Sequence, residues 1–372
     1  MNRFNSMSYV PILRWKRAEQ SALAKLYERD RICVTPLVEL VPENFEQKDA
    51  EGNINRLTVS EVVNKVGRQI FQYWGERQFF VDLWLLSPDH IDQGPSDFLT
   101  QLSRYASTLS LSLIPVTGIA RDGAYQSAVR AAVKMHNQGA CLRLTRDDIE
   151  RASLAQDINN LLSDLKISME SVDLVIDFQI IDRSVPEYKT LCKLLPSIDK
   201  WRNFIVASGA FPQDLMKWKK NDIYRDCLRN DWISWRDQAI SRRSVVRFPI
   251  YSDYTIQYPQ YRGRIEQSNY SASIRYTADE YWVIMRGEGV LNDGGPGASQ
   301  WPANALLLCE QPEYKCCGDI FSYGDKYIKE KSGKYDKPGS ARTWLQAGIN
   351  HHMTFVVRQI ATLLDSSTVA LP

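Results

Sequence analysis

The sequence lacks any uninterrupted apolar run approaching the roughly 18 residues of a membrane-crossing helix, and its opening stretch, Met1–Trp15, carries no apolar segment of signal-peptide length. A cytoplasmic protein without membrane attachment is expected. It also lacks an excess of either charge. Lys and Arg number 46 against 44 Asp and Glu, a formal net charge of +2, so a dedicated nucleic-acid binder with a strongly basic face is excluded and any such contact must come from a local patch. Histidine is scarce, at 4 residues. The 7 cysteines form no framework of spaced pairs, which excludes a zinc ribbon or a disulfide scaffold and fits a reducing compartment. No metal set is expected, and no cofactor is identified. No glycine-rich dinucleotide fingerprint follows the first apolar run, which argues against a nucleotide-binding doubly wound sheet.

What the 372 residues do contain is a repeated alternation of short apolar runs with amphipathic segments. Strands are expected at Val10–Trp15, Cys33–Leu40, Phe79–Leu86, Leu111–Gly118, Cys141–Arg146, Leu174–Ile181, Phe204–Ala210 and Val245–Tyr254. Helices are expected between them at Ala18–Tyr27, Val59–Phe71, Asp97–Tyr105, Ala124–His136, Asp148–Leu165 and Pro186–Leu195, with another within Asp214–Ala239. Starts about thirty residues apart match one β/α unit with its crossover helix. Eight such units predict a (β/α)8 TIM-like barrel, with an open doubly wound α/β sheet as the alternative. The expected division is a barrel over 1–254, an aromatic-rich insertion over 255–340 covering the C-terminal face, and a closing helix over 341–372. The insertion includes a hairpin, Ser273–Tyr276 with Tyr281–Met285, and a glycine-rich stretch, Gly287–Gly297, that reads as a loop or lid.

Ionisable residues interrupt or follow the apolar runs: Arg14, Lys16, Glu39, Asp82, Arg143, Asp177 and Asp253. A charge taken alone into a barrel interior costs too much to persist, so these groups must pair with one another or face a wet pocket at the lip. The functional reading makes Lys16, Glu39, Asp82, Arg143 and Asp177 catalytic candidates. Arg14, Asp253, Asp325, Asn350 and His351 are then ligand-binding candidates, with Arg14, Lys16 and Arg143 holding an anionic, nucleotide-like ligand. The competing reading is a set of buried ion pairs that fixes barrel register. Lys16 occupies a position used for a pyridoxal phosphate Schiff base in one barrel class, but no phosphate cradle accompanies it. Tyrosines, tryptophans and arginines such as Tyr276, Trp282, Trp301, Arg264 and Arg275 alternate through the insertion. They suit either a stacking surface for single-stranded nucleic acid or the core of a subdomain that docks a protein partner. In the last helix, Trp344, Met353 and Val357 are expected to pack on the barrel exterior, leaving Asn350 and a histidine facing the insertion and the lip.

Four stretches carry a resemblance. Tyr9-Val10-Pro11-Ile12-Leu13-Arg14-Trp15-Lys16-Arg17-Ala18-Glu19, Pro36-Leu37-Val38-Glu39, the run from Gly318-Asp319-Ile320-Phe321 to Asp325, and Thr343-Trp344 with Gly348-Ile349-Asn350-His351-His352 resemble the "beta protein" family of phages and other mobile elements. The resemblance implies a phage-associated, defence-type setting, with a partner encoded in the same cassette. It adds weight to Lys16, Glu39, Asp325 and the Asn350-His351-His352 triplet, and it implies no particular reaction.

Overall fold

The computed structural model describes residues 9–49, 51–241, 245–263 and 269–369, so Arg264 and the ends of the chain lie outside the described residues. Eight parallel strands close into a barrel: Tyr9–Arg14, Leu37–Glu39, Phe79–Asp82, Leu113–Thr117, Ala140–Thr145, Val172–Ile180, Asn203–Gly209 and Ile250–Asp253. Each pairs with its sequence neighbours, and the eighth returns to the first through Tyr9 opposite Tyr251 and Pro11 opposite Asp253. The expected barrel is therefore the fold, and the open sheet is not. Several strands stop earlier than the apolar runs suggest. Asp82 shows why: its carboxylate accepts the backbone N–H of Trp84 at 2.9 Å, which turns the chain out of the sheet although apolar residues continue to Leu86.

Alternation along the strands separates two apolar cores. Val10, Ile12, Leu37, Phe80, Ile114, Val116, Cys141, Val175, Ile205, Ala207 and Tyr254 fill the barrel, each large aliphatic side chain contributing roughly 1.5–3 kcal/mol through burial. The opposite faces pack beneath the helices, among them Val59–Tyr73 and Leu154–Leu165. The helix Val59–Tyr73 begins where Thr58 accepts from Glu61 N and Glu61 reaches back to Thr58, a reciprocal cap that fixes its start.

The helix expected within 214–239 is present at Asn230–Ile240, and an unforeseen strand, Asp222–Leu228, precedes it. That strand pairs antiparallel with Tyr281–Arg286, which also pairs with Ile274–Thr277. The insertion's sheet thus draws one strand from before the eighth barrel strand. Its core holds Tyr276, Val283, Trp301, Tyr314 and Ile328, all buried. Trp344 belongs to this core, with its ring stacked 6.5 Å from Trp301, and not to the barrel exterior. Met353 and Val357 do pack in the outer barrel core. The glycine-rich stretch joins the same subdomain, with Val290 N donating to Tyr270 O at 2.8 Å. No helix among the described residues is long and apolar enough to cross a membrane.

Candidate functional site

Register brings the strand-end charges together. Arg14 lies opposite Glu39, and Glu39 opposite Asp82, so three neighbouring strands end in one row of ionisable residues. Arg143 on the fifth strand and Asp177 on the sixth complete the ring at the C-terminal mouth. Arg143 is its hub. Its Nη1 donates to Glu39 Oε1 at 2.8 Å and to Asp82 Oδ2 at 2.7 Å. Its Nε and Nη2 donate to Asp177 Oδ2 at 3.0 and 2.6 Å, and Nη2 also reaches the Tyr254 hydroxyl at 2.9 Å. Tyr254 in turn donates to Asp177 Oδ2 at 2.6 Å. Arg121, from the loop after the fourth strand, donates to Asp82 Oδ1 at 2.8 Å, and the half-exposed Trp84 ring lies 5.4 Å from the Arg143 guanidinium.

The carboxylates are not equivalent. Asp82 and Asp177 use both oxygens, because each also accepts a backbone N–H. Glu39 engages Arg143 through Oε1 alone. Burial pushes the Glu39 carboxyl above its usual range despite the nearby arginine, and Asp82 adds to that rise. Burial opposes the charge of Arg143, but Tyr254, Asp177, Glu39 and Asp82 together hold its pKa well above normal. Glu39 is thus an acid whose burial favours its neutral form, beside two carboxyl groups held by hydrogen bonds through both oxygens. Among the described residues no group of three His, Cys, Asp or Glu side chains is arranged to hold a metal ion.

A strap formed by residues 257–261 crosses this mouth. Arg14 Nη2 donates to the carbonyls of Tyr258 and Pro259 at 2.9 and 2.7 Å. Gln257 donates to Glu19 Oε1 at 2.7 Å. Tyr261 donates to Glu43, which also receives Lys16 Nζ at 2.8 Å. Lys16 is thus a rim residue in an ion pair with Glu43, 38% exposed. Beside the mouth, Arg121 lines a polar groove of about 380 Å³ with Gln126, Arg130, Asn160 and Asp164.

The remaining candidates lie elsewhere. Asp253 shares its face with Tyr251, so it points out of the barrel while Tyr254 points in. It meets the closing helix, Ala341–Val369, where His352 Nε2 lies 2.9 Å from Asp253 Oδ2 and His352 Nδ1 lies 2.9 Å from the Thr277 hydroxyl. Tyr9 donates to the other Asp253 oxygen. Burial lowers the His352 pKa and favours a neutral ring. His351 bonds Asp325 Oδ2 and the Thr277 carbonyl, each at 2.9 Å, and Asp325 also accepts from Tyr276 and Ser322. Asn350 accepts from Gly324 N and donates to Ala22 O, both at 2.9 Å. Asp253, Asp325, Asn350 and His351 are buried and mutually occupied. They bind the closing helix to the insertion and to the barrel flank, apart from the charged row that Arg143 gathers.

The model of the Beta protein family matches residues 9–358. The chain belongs to that family. Among curated proteins nothing matches it. Solved structures similar to this chain include catalytic domain 2 of a Group II chitinase from Ostrinia furnacalis, at 9% identity and a TM-score of 0.26, covering 59% of this chain and 70% of that one. Another is tryptophan synthase from M. tuberculosis, at 10% identity and a TM-score of 0.24, covering 54% and 82%. At such scores neither carries an argument about what this Beta protein family member does.

Sequence reasoning missed Tyr254, Arg121 and the strap. Tyr254 was legible by parity, because it alternates with Ser252 and Ile250, whose face includes barrel interior. Arg121 and the Tyr258 and Pro259 carbonyls had no local signal. Of the insertion's aromatics, Tyr276, Trp301 and Tyr314 form its core, and Trp282 packs in the outer barrel core, all at most 3% exposed.

Proposed function

We propose that this Beta protein family member is an enzyme of the acid–base, hydrolytic type, with its active site at the barrel mouth and Glu39 as the proton carrier. One observation carries the reading: Glu39, Asp82 and Asp177 from three strands, with Tyr254, converge on Arg143 at the C-terminal end of the barrel, where loops of this fold hold active sites. Arg143 and backbone N–H groups hold Asp82 and Asp177 in place, and Glu39, the least hydrogen-bonded of the three, is free to give and recover a proton. In the phage or mobile-element setting implied by the family resemblance, such an activity would serve a defence-type cassette. The alternative, an inert barrel whose insertion docks a partner, is what the test must separate.

Purified protein is incubated with a small-metabolite extract of bacterial cells, and consumption is followed by mass spectrometry. Native protein is expected to consume at least one component. Glu39→Gln, checked for folding by circular dichroism, should slow that consumption by about 100-fold or more, the usual contribution of a positioned proton carrier. Consumption by the native protein that Glu39→Gln leaves unchanged, or no consumption at all, sinks the reading.

A further inference from the structure

The strap and the residue beneath it suggest what kind of group the mouth receives. Arg14 is the first-strand member of the charged row, yet it pairs with no carboxylate among the described residues. Its Nη2 serves two backbone carbonyls of the strap, and its buried Nε has no hydrogen-bond partner. A guanidinium facing two oxygens with a further donor unused has the donor arrangement that recognises a phosphate or carboxylate group. The Tyr258 and Pro259 carbonyls stand where the oxygens of such a group would sit. Arg14 and Lys16 approach the same Tyr261 ring, at 5.6 and 5.3 Å. Both cations therefore border the space the strap fills. Beneath the strap, Glu19 is buried with Oε2 unpartnered, and burial raises its pKa. This edge of the mouth is incompletely satisfied while the strap is down.

We propose that residues 257–261 form a movable strap that occupies an oxyanion site on Arg14, and that the ligand's phosphate or carboxylate group displaces the Tyr258 and Pro259 carbonyls from it. The proposal rests on the mouth being the functional site and names the chemical class of its ligand. The strap closes the site when empty, and the ligand's negative group opens it. Apparent affinity is then reduced by the fraction of time the strap is down.

Gly209 supplies a way to lift the strap without changing a charge. It packs under Pro259, and an added Cβ would lie 2.6 Å from Pro259 Cγ. Gly209→Ala therefore pushes the strap away, and Gln257→Ala loosens it independently by removing the tie to Glu19. Each variant, the native protein and Arg14→Gln are titrated by calorimetry with inorganic phosphate and, separately, with acetate, which distinguishes the two sources of the oxyanion. Gly209→Ala and Gln257→Ala are expected to bind one of the two anions about tenfold or more tightly than the native protein, and Arg14→Gln, alone or combined with Gln257→Ala, to abolish that binding. The proposal is overturned if neither loosened variant gains affinity for either anion, or if Arg14→Gln combined with Gln257→Ala binds as Gln257→Ala alone does. Either failure leaves the Glu39 assay to stand on its own result, because turnover and anion affinity are read separately.

Discussion

The two ends of the barrel each bury an arginine among carboxyl groups, and they use it differently. At the N-terminal end Arg202 faces Asp173, with Nε donating to Oδ1 at 2.8 Å and Nη2 to Oδ2, while Asn203 Nδ2 completes Oδ1 at 2.7 Å. Arg202 Nη1 closes on the Gln138 carbonyl at 2.6 Å. One positive charge meets one negative charge, in the paired geometry that favours a bidentate bond. At the C-terminal end Arg143 serves Glu39, Asp82 and Asp177 together, and the nearest further cation bonded to the set is Arg121. Three carboxyl groups share two bonded arginines, and burial, with the charge of Asp82 adding to it, raises the pKa of Glu39. A balanced pair stabilises a barrel. The shared cluster lies on the face where barrels of this fold carry function.

The sharpest way to break the comparison is to remove each hub. Arg143→Met leaves three buried carboxyl groups without their shared cation, and a loss of about 4–5 kcal/mol is expected by urea denaturation, at the upper end for a broken buried pair. Asp173→Asn should cost less, about 3 kcal/mol, because Arg202 keeps the Gln138 carbonyl. An Arg143→Met variant as stable as the native protein would show that the mouth cluster is not organised by its arginine.

A second prediction concerns pH and lies outside both clusters. Burial, and then the charge of Asp253, push Asp231 up to about 7. A carboxyl whose folded pKa exceeds its unfolded value contributes stability that is complete below the unfolded pKa and is lost as pH rises through the folded one. The melting temperature should therefore carry a component that falls between about pH 4 and pH 7, and Asp231→Asn should remove it. His352, lowered by burial, acts in the other sense: its contribution is present above its unfolded pKa and is lost as pH falls through the folded value. If the Asp231→Asn profile keeps the native slope over that window, the charge on Asp231 does not limit stability.

Smaller effects sharpen the contrast. Glu39→Gln replaces an acid already inclined to be neutral, so its stability should change by less than about 1 kcal/mol while turnover collapses. A large destabilisation with unaltered turnover would move Glu39 into the same class as Asp173. Lys16→Ala, at the exposed rim, should change stability by about 0.5 kcal/mol or less, because water screens its pair with Glu43. The same urea titration reads both.

Strand count, strand order and the inward set were legible because a parallel strand covered on both faces leaves an apolar run, and period-2 alternation places Glu39, Asp82 and Asp177 with their apolar neighbours inside. The same rule misassigned Asp253, since a shift of one residue exchanges inside for outside. Tyr254 occupies the position at the mouth that Asp253 was expected to hold. Asn350 and His351 were recognised as belonging with Asp325, but their burial was invisible, because it depends on how the closing helix crosses the insertion. Gly324 records that closeness: an added Cβ there would lie 2.2 Å from the Ala347 carbonyl.

The sequence by itself determined the barrel, for hydrophobic periodicity is a local property that every β/α unit repeats. It also determined that some charges must meet, since isolated charges do not persist in an apolar interior. Which charges meet was decided by tertiary structure alone. Arg143 reaches Glu39 across 104 positions of sequence, and Arg14 reaches the Tyr258 carbonyl across 244. No local pattern encodes such pairs, because closure of the barrel and the path of the strap set those distances.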